Sequence, residues 1–132
     1  MKPANEINKD QYAKALKKAA REKWEREFAK QLDAMEWTYR KQYKFHADRD
    51  WRFDIALNTK FYTEVNPENW ILVDIQGGIW SGGAHVRGLG YKNDIEKMNA
   101  ATAMGYQVYW FTSGMVESGE AIKFIQEVVF NE

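Results

Sequence analysis

The segment from Ile71 to Gly90, ILVDIQGGIWSGGAHVRGLG, joins a nearly continuous apolar run to a loop that holds six of the chain's nine glycines. Such an apolar run is typical of a β-strand that is covered on both faces. The next residues, YKNDIEKMNAATAMG, predict a helix that stops at Gly105, and YQVYWFT predicts another strand. A strand, a helix and a strand in this order form a right-handed crossover between parallel strands.

A long amphipathic helix is predicted upstream of this unit, from about Asn8 to Met35. Its apolar residues recur every three or four positions: Tyr12, Leu16, Ala20, Trp24, Phe28, Leu32 and Met35. Its remaining face carries basic residues: Lys14, Lys17, Lys18, Arg21, Lys23, Arg26 and Lys30. We take Trp24, Phe28, Leu32 and Met35 as the stripe that is buried.

Two further strands are predicted between this helix and the buried strand. The segments YRKQYKF (39–45) and WRFDIAL (51–57) both alternate apolar with polar residues. In the second segment one face carries Trp51, Phe53, Ile55 and Leu57, and the other carries Arg52, Asp54 and Ala56. The side chain of Asp54 is therefore predicted to point away from the apolar side.

The chain closes with SGMVESGEAIKFIQEVVF, which predicts a helix with an irregular point at Ser118-Gly119. The complete order is helix, strand, strand, strand, helix, strand, helix. This order predicts an α/β fold with a four-stranded mixed sheet between helices, in which strands two and three are antiparallel and strands three and four parallel. A length of 132 residues suits one domain, residues 1–132, since domains commonly run to about 100–150 residues.

Composition excludes several classes of protein. The chain has no cysteine and only two histidines, which excludes disulfides and a Cys/His zinc cluster, so any metal would bind to oxygen ligands. The sequence MKPANEINKD lacks the apolar core of a signal peptide, and no apolar run approaches the roughly 18 residues of a membrane span. We therefore expect a soluble, intracellular protein without a membrane partner.

Charge is unevenly distributed although the net charge is zero. Residues 1–52 carry 14 basic and 9 acidic residues, whereas residues 53–132 carry 5 and 10. Zero net charge argues against a histone-like DNA-binding protein. The basic front is compatible with a polyanion held beside carboxylates, and equally with a solvated helix.

Two acidic residues lie on neighbouring predicted strands, Asp54 within the second and Asp74 near the end of the third. Carboxylates on adjacent strands can converge on one Mg²⁺, which prefers oxygen ligands and usually keeps several waters. The alternative is that each acid marks a strand end or pairs with a nearby cation such as Arg52. The spacing alone leaves both interpretations open.

The glycine-rich loop matches no nucleotide-binding motif. Gly78 and Gly83 have the spacing of a P-loop, but Ala84-His85 stands where Lys-Ser/Thr is required. Asn93 likewise stands where a dinucleotide fingerprint needs a small residue. We expect the glycines to let the backbone approach a polyanion, with side-chain donors from Ser81, His85 and Arg87. A surface loop without such a role is the alternative.

Several segments together resemble the Vsr-like branch of the PD-(D/E)xK nucleases, which includes small phage and bacterial endonucleases related to the very-short-patch-repair endonuclease. The matching segments follow one another in the family's order: Lys41-Gln42, Phe53-Asp54, Asp74-Ile75-Gln76-Gly77-Gly78, His85, Asp94-Ile95-Glu96-Lys97 and Gly105-Tyr106-Gln107-Val108. The match covers roughly residues 25–116. The predicted order of elements agrees with the restriction-endonuclease-like αβββαβ core of that family.

The resemblance implies a Mg²⁺-dependent endodeoxyribonuclease, with Mn²⁺ able to substitute, that hydrolyses DNA phosphodiester bonds. It assigns five catalytic residues: Asp54, Asp74, Gln76, His85 and Lys97. It assigns three metal ligands, Asp54, Asp74 and a glutamate of the first helix, for which the angle to the buried stripe favours Glu25 over Glu27. The residues expected to contact DNA are Lys41, Gln42, Ser81 and Arg87. The expected location is the cytoplasm of a bacterial or phage-infected cell.

Gln76 departs from the family pattern, because the motif has lysine at this position. A glutamine amide carries no positive charge and accepts no proton, so Lys97 or His85 would have to help. This departure supports an alternative function, a nuclease-fold DNA-binding module without catalysis. A structural protein that self-associates through its 15 % aromatic residues is a third hypothesis. The sequence does not choose between structure-selective and sequence-specific cleavage. It allows a homodimer with an interface at Trp80 or Tyr91.

Overall fold

A computed structural model describes residues 8–58, 66–76 and 89–130 of the protein. They form an α/β fold in the predicted order, with a mixed four-stranded sheet flanked by helices. The strands are β1 (Thr38–Lys44), β2 (Arg52–Asn58), β3 (Ile71–Gln76) and β4 (Gln107–Thr112). The helices are α1 (Lys9–Ala34), α2 (Leu89–Ala103), α3 (Ser113–Ser118) and α4 (Glu120–Phe124), and α4 continues into a π-helical turn (Ile125–Val129).

The sheet has the predicted topology. Its strand order is β1-β2-β3-β4, with β1, β2 and β3 mutually antiparallel and β3 parallel to β4. The parallel pair matches Ile71 with Gln107 and Asp74 with Trp110, and α2 forms the crossover between these two strands. Asp74 therefore sits on an interior strand, with β2 on one side and β4 on the other.

Both faces of the sheet are covered, which differs from the prediction for β2. Ile55 and Leu57 pack with α1 and the C-terminal helices, whereas Trp51 and Phe53 pack in the second cluster with Ala101 of α2. The predicted single apolar face of this strand is therefore wrong. The prediction assumed that one face of the strand is buried and the other faces solvent. Because both faces are buried, apolar residues occur on both of them.

The long helix α1 is buried only in its C-terminal half. Glu25, Phe28 and Leu32 are buried, whereas Tyr12 and Leu16 are 57% and 47% exposed. The expected stripe is confirmed, since Phe28 and Leu32 are fully buried and Trp24 and Met35 are half-buried. A capping box of Asn8 and Gln11 stabilises its start.

The glycines predicted to interrupt the helices do so. Gly119 separates α3 from α4 in a left-handed conformation, with φ of 85°. Gly105 follows α2 with φ of 96°. Among the described residues, no helix combines the length and apolar character that crossing a bilayer requires.

We expect Gly105→Ala to lower the free energy of unfolding by about 1–2 kcal/mol, because alanine is strained at this positive φ. A Cβ at this position would also lie 3.3 Å from the Cβ of Pro67. Gly90→Ala is the matched control, since a Cβ there meets nothing within 4 Å and the residue lies in α2. Urea denaturation measures both, and equal losses of stability would contradict the role given to Gly105.

Candidate active site

The two predicted acids meet where β2 and β3 stop pairing through their backbones. Backbone pairing covers Ile55–Leu57 on β2, and Asp54 and Asp74 occupy the next opposite positions. There the amide of Asp54 donates to Asp74 Oδ1 at 3.0 Å, and the amide of Ile75 donates to Asp54 Oδ2 at 2.8 Å. Two carboxylates thus replace backbone carbonyls as acceptors, and both are buried. The structure brings the predicted pair together in a fixed arrangement.

Lys97 reaches this pair from α2. Its Nζ donates to Asp74 Oδ2 and, at 2.9 Å, to the backbone carbonyl of Arg52. The ammonium also lies 4.4 Å from the centre of the Phe53 ring, and the side chain is buried. The structure therefore places Lys97, one of the expected catalytic residues, beside the acidic pair, and the same contact agrees with the alternative that Asp74 pairs with a cation.

Glu25 joins the pair through the amide of Gln42. Gln42 Nε2 donates to Glu25 Oε2 at 2.9 Å and to Asp54 Oδ1 at 3.2 Å. Gln42 has a left-handed backbone with φ of 49°, and the flanking pairs Lys41–Ile55 and Tyr43–Phe53 keep one register. The structure therefore brings Glu25 of α1 to the strand acids, whereas Glu27 is only half-buried and has no such link among the described contacts.

Negative charge exceeds positive charge in the carboxylate cluster, by which we mean Glu25, Asp54 and Asp74. Burial, the charge of Asp74 and, more weakly, the charge of Glu25 together raise the pKa of Asp54 to about 6. The amides of Ile75 and Gln42 partly oppose the rise. Partial burial likewise raises the pKa of Asp94 on α2, although the charge of Lys97 lowers it. Asp54 therefore takes up a proton more readily than an exposed aspartate does.

The cluster has the donor chemistry that Mg²⁺ or Mn²⁺ requires. Within residues 8–58, 66–76 and 89–130, no three acidic or histidine side chains lie close enough to hold a metal without rearrangement. Mg²⁺, however, is usually bound by one or two carboxylates together with waters and substrate phosphates. Asp54 and Asp74 supply two carboxylates, and each of their oxygens accepts one of the hydrogen bonds described above, which leaves a lone pair for a cation.

A group of contacts that the sequence did not predict holds α2 against the β1–β2 loop. Asn93 Oδ1 accepts from Trp51 Nε1 at 2.9 Å and from Arg49 Nη2 at 3.2 Å. The Arg49 guanidinium stacks 3.9 Å from the Trp51 ring centre and pairs with Glu96 at 3.8 Å. These contacts fix the first turns of α2, which carry Lys97. In the sequence Asn93 stood out only as a departure from a nucleotide-binding motif, and no local pattern marks its role.

The remaining predicted residues are placed as follows. Gln76 ends β3, half-buried and two residues beyond Asp74, so it lies on the same face of the strand. Lys41 is exposed on the edge strand β1, and Tyr91 is exposed on α2. The predictions for Trp80, Ser81, His85 and Arg87 fall outside the described residues.

Comparison with known proteins gives no relative for this chain: no family model, no curated protein and no solved structure matches it.

We expect Lys97→Met to lower the free energy of unfolding by about 3 kcal/mol, because it leaves the buried carboxylates without their ammonium. Lys92→Met on the same helix is the control. Lys92 is exposed and forms an i,i+4 pair with Glu96 at 3.7 Å, so its loss should change stability by less than about 0.5 kcal/mol. Thermal and urea unfolding in EDTA measure the two effects, and similar values would refute a buried charge balance.

Asp54 should make the stability of the metal-free protein depend on pH. Its pKa in the folded protein, about 6, exceeds the ordinary value of 3.8, so the folded state binds the proton more tightly. The free energy of unfolding should therefore fall as the pH rises from about 4 to about 6, by on the order of 2 kcal/mol, and then level off. Asp54→Asn lacks this titration. A stability difference between the two proteins that stayed constant over this range would contradict the assignment.

Proposed function

We propose that the protein is a metal-dependent endonuclease that hydrolyses phosphodiester bonds of DNA. The observation that carries the proposal is the convergence of Asp54 and Asp74 at the point where β2 and β3 separate, with Lys97 bound to Asp74 from the crossover helix. Buried carboxylates beside one buried cation make a charge excess that suits a divalent cation. The proposed place of action is the cytoplasm of a bacterial or phage-infected cell.

Asp54 and Asp74 are the proposed ligands of Mg²⁺ or Mn²⁺. A divalent cation held there supplies Lewis-acid polarisation of the scissile phosphate and lowers the pKa of a water. Gln42 holds Asp54 in place through its amide and keeps Glu25 at hydrogen-bond distance from the same nitrogen. Glu25 is therefore the proposed third acid. The Gln42 amide lies between Glu25 and Asp54, so this amide must shift before Glu25 can bind the metal directly.

In the family motif a lysine stands at the position of Gln76, and in this protein Lys97 of α2 supplies the positive charge instead. An ammonium at Asp74 can donate to a phosphate oxygen and stabilise charge that develops there. The glutamine amide can ligate a cation through its carbonyl or orient a water, but it supplies no positive charge. His85 is the proposed aid to proton transfer, and Arg87, Ser81 and Lys41 are the proposed contacts to the DNA backbone.

A nuclease-fold DNA-binding module without catalysis is the second proposal, and a specific contact favours it. Lys97 already donates to Asp74 and to the Arg52 carbonyl, so its ammonium is engaged before any phosphate arrives. Gln76 cannot accept a proton in its place. Under this proposal the carboxylate cluster serves stability and the DNA is bound but not cut.

The test is Asp74→Asn, which keeps the shape of the side chain and removes the charge that a hard cation needs. Cleavage of plasmid DNA with Mg²⁺ or Mn²⁺, measured per folded molecule, should fall at least about a hundredfold. DNA affinity should hold or rise, because one negative charge near the phosphates is lost. Some stability should also be lost, since Lys97 loses its partner.

Asp33→Asn is the matched control, since Asp33 also accepts a side-chain hydrogen bond, from the Tyr39 hydroxyl at 2.7 Å, outside the carboxylate cluster. It should lose a little stability and keep full activity. Wild-type protein that binds DNA but cuts no DNA form with either metal would refute the enzyme and favour the binding module. An Asp74→Asn protein that cuts at the wild-type rate would remove Asp74 from the site.

A further inference from the structure

The N-terminal half of α1 extends away from the core as an exposed arm. Residues 9–19 are all exposed, and full burial on this helix begins only at Glu25. With a rise of about 1.5 Å per residue, the arm from Lys9 to Lys23 is roughly 20 Å long. Its C-terminal end adjoins Glu25, so the arm leads directly to the carboxylate cluster.

The arm is basic, and its cations are arranged on defined faces. Residues 9–23 hold six basic and two acidic residues. Lys14, Lys18 and Arg21, which we call the cation row, precede Glu25 by eleven, seven and four positions. At about 100° per residue all three lie within about 40° of the direction of Glu25. The cation row therefore runs straight along the helix face that carries the site carboxylate.

Three other lysines of α1 lie on the opposite face. Lys9, Lys23 and Lys30 are exposed and lie about 140–160° from the direction of Glu25. They carry the same total charge as the cation row on the same helix. A ligand that only responds to net charge would not distinguish the two sets, whereas a ligand aligned with the carboxylate cluster would.

We propose that the cation row binds successive backbone phosphates on one flank of the nucleic acid whose reacting phosphate lies at Asp54 and Asp74. This inference rests on the proposed function and specifies its substrate as an extended duplex rather than a short or free nucleotide. From Lys14 to Glu25 the helix rises about 17 Å, which corresponds to about five base-pair steps of 3.4 Å. The arm thus holds about half a turn of DNA beside the site.

The surroundings favour a polyanion at this surface. Lys18 pairs with Glu22 at 3.9 Å, but both side chains are well exposed, so this pair is weak and leaves Lys18 available. Lys41 lies opposite Ile55 in the sheet and hence on the α1 side, where it adds positive charge close to the carboxylates.

A second copy of the chain is the competing occupant of the arm. Tyr12 and Leu16 lie away from the cation row and are exposed. They are two large apolar residues, however, whereas a coiled-coil seam requires apolar positions over about three or four heptads. Charge complementarity therefore favours DNA phosphates over a helix partner.

The test compares two triple variants with equal loss of charge. One removes the cation row, Lys14→Gln, Lys18→Gln and Arg21→Gln, and the control is Lys9→Gln, Lys23→Gln and Lys30→Gln. Affinity for a duplex of about 20 base pairs is measured in EDTA and in Ca²⁺, from about 50 to 200 mM salt. Each phosphate contact contributes about 0.9 to the slope of log affinity against log salt, so the cation-row variant should lose about 2–3 from the slope and the control less than about 1.

Equal losses in the two variants would overturn the inference and leave the proposed nuclease intact. A wild-type protein that binds no duplex would overturn both, whereas selective loss in a protein that never cuts DNA would support the cation row and refute the enzyme. A concentration-dependent dimer that Tyr12→Ser with Leu16→Ser abolishes, with DNA affinity unchanged in the cation-row variant, would assign the arm to self-association and overturn the inference. Circular dichroism checks the helix, and Lys14→Gln against Lys9→Gln repeats the comparison if a triple variant unfolds.

Discussion

The exchange of hydrogen bonds between Asp54 and Asp74 is the interaction on which the rest of the site depends. Where β2 and β3 separate, buried amides lose their backbone partners and would be costly to leave unsatisfied. The two carboxylates accept from the amides of Asp54 and Ile75 and so extend the strand pairing by one step. The same contacts hold two buried carboxylates side by side, at the point where the proposed metal would bind.

Those buried charges require compensation, and the compensating contacts link them to α1 and α2. Lys97 balances one carboxylate, and the Gln42 amide donates to another while it holds Glu25. Gln42 adopts a left-handed backbone to do this, a conformation that costs an ordinary residue of order 1 kcal/mol or more. A helix on each face of the sheet is thus tied electrostatically to the same pair of aspartates.

The sequence predicted the order of elements, the strand directions and the convergence of Asp54, Asp74 and Lys97, because apolar runs, glycine stops and the crossover rule are local or topological signals. It also predicted the stripe of α1 that packs on the core, of which Phe28 and Leu32 are fully buried. It did not predict the contact of Asn93 with Trp51, 42 residues apart, or the backbone conformation of Gln42. Such features depend on contacts between residues far apart in the chain, which produce no periodic pattern in the sequence.

In the proposed enzyme the positive charge at the site comes from a helix rather than from the strand that carries Asp74. A lysine at the position of Gln76 would be placed by the sheet itself, whereas Lys97 is placed by how α2 docks. That docking depends on Asn93, which accepts from Trp51 and Arg49 in the loop that joins β1 to β2. The position of the Lys97 ammonium is therefore coupled to the β1–β2 loop, which lies outside the carboxylate cluster. Substitutions in that loop would shift Lys97 without changing any of the three acids.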